Sequence, residues 1–162
     1  MRRAGIVVGV VLMIGAISQV SALAGPAGTT NLTIPTNWMM GPERSGCSFD
    51  IQVAGLDQVS IQTTYDKTGA PVKVVEHIDY TGTQTANGTT LKVSEHAVAT
   101  GDLVAGTETW TGQQLKISLP KGGNVSLDVG KVVTDDHGNV LVQHGWHPAP
   151  TDTTQYCAAF GS

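Results

Sequence analysis

Glu76, Glu95 and His144 are the residues of this 162-residue chain whose types and spacing could do chemistry. Each falls on the apolar phase of an alternating stretch. Glu76 stands between Val74 and Ile78, Glu95 between Val93 and Ala97, and His144 between Val142 and Trp146. If strands over residues 72–80 and 89–98 pair as a hairpin, any register that aligns their apolar faces puts both carboxylates on that face. They then lie side by side or a few residues apart. Two carboxyls in a dry interior repel, so one keeps its proton near neutral pH. An imidazole that shares this proton completes an acid–base site. The competing reading is structural: a β-bulge shifts the phase by one residue and turns a glutamate to solvent. A buried, unpaired glutamate is also costly.

The remaining polar clusters point to less. His144 and His147 are three apart on a strand running into a loop, so they face opposite ways. Glu76–His77 and Glu95–His96 are adjacent pairs with the same geometry, although His77 and His96 could meet across the hairpin on its outer side. Asp135-Asp136-His137-Gly138-Asn139 has oxygen ligands but lacks the spaced pattern and closing Glu of a calcium loop, and reads as a turn. No Gly-x-Ser-x-Gly elbow, phosphate loop or dinucleotide fingerprint occurs, so no cofactor and no metal is expected.

Strands are what must position these groups. From Cys47 onward, apolar and polar residues alternate with period two and helical spacing is absent. Phe49, Ile51 and Val53 form one such set; Val59, Ile61 and Tyr65 form another. Asn87-Gly88 is the strongest hairpin signal, because both residues tolerate positive φ. Further turns are expected at residues 66–71, 100–102, 111–113, 121–124 and 136–139. A last strand is expected over Gln155 to Phe160. Eight or nine strands joined by tight turns read as an all-β antiparallel meander. Cys47 and Cys157 are separated by 110 positions; in an exported chain such a lone pair is expected to bond. A crosslink between first and last strands closes the meander as a small barrel, which also removes its edges, or flattens it into a β-sandwich.

Several of these stretches occur together in a wider pattern. The Cys-x-Phe-Asp-Ile start, the Gly123 to Val133 strand, the Asp135 to Val140 turn and the closing Tyr156-Cys157-Ala158-Ala159 resemble a group of small uncharacterised secreted β-rich proteins of high-GC Gram-positive bacteria (actinobacteria). The resemblance covers about residues 46 to 160. It implies export and an all-β fold, and it carries over no site. A bacterial source also implies that the glycosylation-like triplets at Asn31, Asn87 and Asn124 stay unmodified.

The N-terminus agrees with export. Arg2 and Arg3, an apolar run from Ile6 to Ile17 and Ala22-Leu23-Ala24 form a signal peptide over residues 1–24. The Arg pair suggests the twin-arginine route, which Ala4-Gly5-Ile6 after it do not strengthen, so the general and the twin-arginine route both stay open. Residues 25–45 read as an extended arm with at most one edge strand at Asn31 to Ile34, and residues 46–162 as a single β-domain. Trp38, Met39 and Met40 form an apolar cluster that packs on the sheet edge or meets a partner. The whole chain has 9 basic and 13 acidic residues. Loss of Arg2 and Arg3 leaves 7 against 13, a formal charge of −6. That balance argues against nucleic acid and anionic lipid. After signal cleavage no transmembrane segment is expected. The expected function is a non-enzymatic extracellular binding or surface module for a protein, a glycan or a small apolar ligand. The alternative is a small barrel isomerase or hydrolase using Glu76, Glu95 and His144.

Overall fold

The structure, a computed structural model, describes residues 28–147 and 153–161. The signal-peptide segment and part of the loop after His147 lie outside the described residues. Seven antiparallel strands form one sheet in chain order: β1 (Thr29–Met40), β2 (Ile51–Tyr65), β3 (Pro71–Ala86), β4 (Thr89–Asp102), β5 (Thr107–Ser118), β6 (Asn124–Asp135) and β7 (Val140–Trp146). Two short helices, α1 (Pro42–Ser45) and α2 (Thr154–Ala158), complete the described elements. The β3–β4 hairpin turns on Asn87 (φ 49°) and Gly88 (φ 77°), both left-handed as a two-residue hairpin of this hand requires.

The expected barrel does not form. β1 and β7 are the two edges of an open sheet, and among the described residues nothing pairs with their outer sides. The described residues form one sheet, and no second sheet packs on it among them, so the expected sandwich is not seen either. The described residues hold seven strands rather than eight or nine: the two alternating sets before and after Gly55 are one strand, the stretches on either side of Gly112 are one strand, the expected closing strand is α2, and β1 adds a strand from the segment expected to be an arm. Gly55 sits within β2, which runs unbroken from Ile51 to Tyr65. Gly112, expected at a hairpin tip, sits within β5 at φ 107°, beside a bulge at Gln113/Leu115 that bends the strand without reversing it.

Cys47 and Cys157 are bonded, with Cα atoms 5.5 Å apart. The bond does not join first and last strands. Cys47 lies in the bend before β2, and the expected closing strand is α2 and the turn after it. The staple clamps the C-terminus over one end of the sheet. There Phe160, Cys47, Ile51, Ala86, Leu91, Val93 and Ile117 form the buried core. Phe160 meets the rings of Phe49 and Tyr156 edge-on at 5.9 and 5.5 Å. The Tyr156 hydroxyl donates to Gln84 Oε1 at 2.9 Å, and burial raises its pKa.

Candidate functional site

Register alone sorts side chains onto the two faces, because directly paired residues share a face. The core residues Ile51, Leu91, Val93 and Ile117 mark the inner face, where α2 packs. Away from that end, the row Ile61–Glu76–Ala99–Trp110–Val132 crosses the inner face, and next to it Leu32–Val59–Ile78–Ala97–Gly112–Gly130–Gly145. Ile78, Ala97 and Ala99 are only 5%, 5% and 4% exposed, yet they lie outside the capped core. The three glycines in that row have φ of 107°, 149° and 118° at Gly112, Gly130 and Gly145, in the range that favours glycine. A Cβ on Gly130 would lie 2.1 Å from the His144 carbonyl oxygen, and one on Gly145 would lie 2.3 Å from that of Val129.

The inner face carries Asp57, Glu76, Glu95, Glu108 and Asp128. Asp57, Tyr80 and Glu95 form one row across β2, β3 and β4. Glu76 shares their face four residues along β3 from Tyr80, about 13 Å from the Glu95 row at the rise of a strand. Glu108 pairs with Gly101 on the same face, and Asp128 pairs with Leu115. The strand lysines lie opposite. Lys73 pairs with Thr64, Lys92 with Thr83, Lys116 with Ser94 and Lys131 with Thr111, all on the outer face. Among the described strand residues, no lysine or arginine faces inward.

Tyr80 does not fill the gap between Asp57 and Glu95. Its ring lies down over Gly55 and Gly82, where an added Cβ would come within 2.4 Å of its hydroxyl. Thr36 Oγ1 donates to that hydroxyl at 3.5 Å. The two carboxyls stand in this row on either side of β3. Burial pushes Glu95 up to about 7; the Asp57 charge adds to this, and His96 opposes it. Burial raises Asp57 as well. Glu76 is raised by burial and then by Glu108. Two inaccessible polar atoms find no hydrogen-bond partner among the described residues, Asp57 Oδ1 and Gln114 Nε2. Gln114 belongs to the β5 bulge opposite Glu95, and Asp57 to the same row on β2.

Of the expected acid–base group, the structure brings Glu76 and Glu95 to one face. His144 pairs with Lys131 on the other face. The imidazole that reaches the inner face is His147, which sequence spacing had set aside. It is 8% exposed, its Nδ1 is 2.7 Å from Asp128 Oδ1 and its Nε2 is 3.1 Å from the His144 carbonyl oxygen. Asp57, Tyr80, Glu108 and Asp128 were also missed. Asp57 fell between two presumed strands, and the phase of Asp128 depends on the β5 bulge.

The other candidates sit apart. Trp38 and Met40 face inward opposite Val53 and Ile51, whereas Met39 faces outward opposite Gln52. Trp38 is stacked by Arg44, 5.5 Å from its ring centre, and Met40 packs on the core. On the outer face His96 Nδ1 is 2.6 Å from Asp79, both exposed. Asp135, Asp136 and His137 lie within ligand distance of one another. Yet the Asp135 carboxylate accepts from Asn139 Nδ2, Asn139 N and His137 N, which shape the turn; the Asn139 side chain first among them holds it below its usual range. Among the described residues, no helix is long and apolar enough to cross a membrane.

Comparison with protein families, with curated proteins and with solved structures finds no match for this chain.

Proposed function

We propose that this protein is an exported, disulfide-stapled binding module whose inner face holds a small apolar ligand bearing a positive charge. One observation carries the reading: the inner face joins an apolar floor to Asp57, Glu76, Glu95 and Glu108 with no strand lysine or arginine to neutralise them. Leu32, Val59 and Ile61 on the same face supply apolar contact for a hydrocarbon portion. An ammonium placed between Asp57 and Glu95 relieves their repulsion. Such a ligand binds the ionised form of Glu95, so its affinity rises with pH through about 7. The enzyme alternative keeps a carboxyl that titrates near neutrality but not the imidazole assigned to it, since His144 faces the other way.

The test uses an alkyltrimethylammonium below its micelle concentration, an alkyl sulfate of equal chain length and tail-free tetramethylammonium, each titrated calorimetrically. The expected result is saturable binding of the first alone, stronger at pH 8 than at pH 5 and weakened about tenfold by Glu95→Gln. Equal binding of sulfate and ammonium, or binding of neither, overturns the proposal.

A further inference from the structure

We infer that two copies of this chain join through β7, edge to edge and antiparallel, about a two-fold axis at Gln143. An open meander leaves two rows of unpaired backbone groups, and folded proteins guard such rows with charge, proline or short length. β1 and β7 are also the two strands that contain no Asp, Glu, Lys or Arg. β1 is guarded by Pro35 at its centre, which lacks an N–H for an added strand. β7, Val-Leu-Val-Gln-His-Gly-Trp, has no proline, and all seven of its residues are exposed. Val140, Leu141 and Trp146 are 57%, 55% and 66% exposed, unusual for apolar residues on a strand rich in β-formers.

The strand is complementary to itself, which identifies a second copy as the occupant. With Gln143 opposite its twin, Val142 meets His144, Val140 meets Trp146, and Leu141 meets Gly145, whose missing side chain leaves it room. Each exposed apolar end therefore covers the other end of its partner. The absence of carboxylates on β7 matters, because the chain carries an acidic excess that repels a second copy elsewhere. The two-fold axis of an antiparallel pair stands perpendicular to the sheet. Both inner faces then open on the same side, and the assembly is a continuous sheet with two guarded β1 edges.

Light scattering on the secreted chain across a concentration series tests this, with each variant's fold checked by circular dichroism. The expected result is a concentration-dependent dimer whose dissociation constant rises at least about tenfold in Leu141→Lys or Val142→Lys and stays unchanged in Ile34→Lys on β1. A second measurement holds even if those variants misfold: Gln143→Cys crosslinks to its twin under mild oxidation, and Leu141→Cys does not, because its register partner is Gly145. A monomer throughout the series, a dimer lost only in the β1 variant, or equal crosslinking at 141 and 143 overturns the inference.

Discussion

At Glu95 a single side chain carries a stability cost that the sheet accepts for its inner face. Its carboxyl titrates near 7 in the folded chain because burial, then Asp57, disfavours the charge, whereas the ordinary value is 4.5. Below about 4.5 both folded and unfolded chains hold the proton and nothing is lost. Between about 4.5 and about 7 the folded chain keeps a proton that the unfolded chain has released, so stability falls as pH rises, and it stays low above 7. Glu95→Gln removes this dependence. Because the carboxyl keeps some access to water, the variant is expected to gain only about 1–2 kcal/mol at pH 8 and nothing at pH 4. Urea denaturation at the two pH values checks it, and equal gains at both would refute the burial argument. The positions of Glu76 and Glu95 were legible in the sequence, since period two and an Asn-Gly turn determine the hairpin. The side of His144 was not. Periodicity says that His144 shares a face with Val142 and Trp146, but on an exposed edge strand the apolar phase is free to point away from the core.

Among elements, the glycines decide most. As letters, Gly55, Gly112, Gly130 and Gly145 look like interruptions; in the sheet they are places where something approaches too closely for a side chain. Gly55 admits the Tyr80 ring, and at the other three a carbonyl oxygen of the adjacent strand lies where a Cβ would sit. A sequence does not distinguish a glycine that ends a strand from one that lies inside it, which is why Gly112 read as a hairpin tip. The distinction has a measurable consequence. At Gly130, alanine would meet a carbonyl oxygen at 2.1 Å in a backbone conformation of φ 149°. Gly130→Ala is expected to cost about 2–4 kcal/mol, since both the clash and the backbone must relax. At Gly69, also left-handed but with open space around it, alanine meets no atom and is expected to cost about 1 kcal/mol. Thermal melting of the two variants compares them, and an equal loss would mean that close strand approach contributes nothing.

For the molecule as a whole, the pairing of Cys47 with Cys157 was legible, but closure was not its consequence. A crosslink near both ends of a meander is compatible with a barrel only if the outer strands also meet. Here β1 precedes the first cysteine, and a helix carries the second. The staple therefore holds a cap, and the core it seals lies at one end of the strands. Ile51, Leu91 and Phe160 are fully buried there, whereas the far end, where Lys73 pairs with Asp102 and Asp102 with Thr107, has no second layer among the described elements. Local opening is governed by how much apolar surface each region buries, so protection against hydrogen exchange should form a gradient along the strands. The amides of Val53, Leu91, Val93 and Ile117 are expected to exchange slowest, and those of Val75, Thr100 and Thr109 faster by at least about tenfold despite equal ladder pairing. Cys157→Ser removes the constraint that a loop of this length places on the unfolded chain, worth about 4–5 kcal/mol at most. It should collapse the gradient by releasing the slow end, leaving the far end nearly unchanged. Uniform protection in the parent, or a variant in which the far end loosens first, would mean that the sheet is held by something other than its cap.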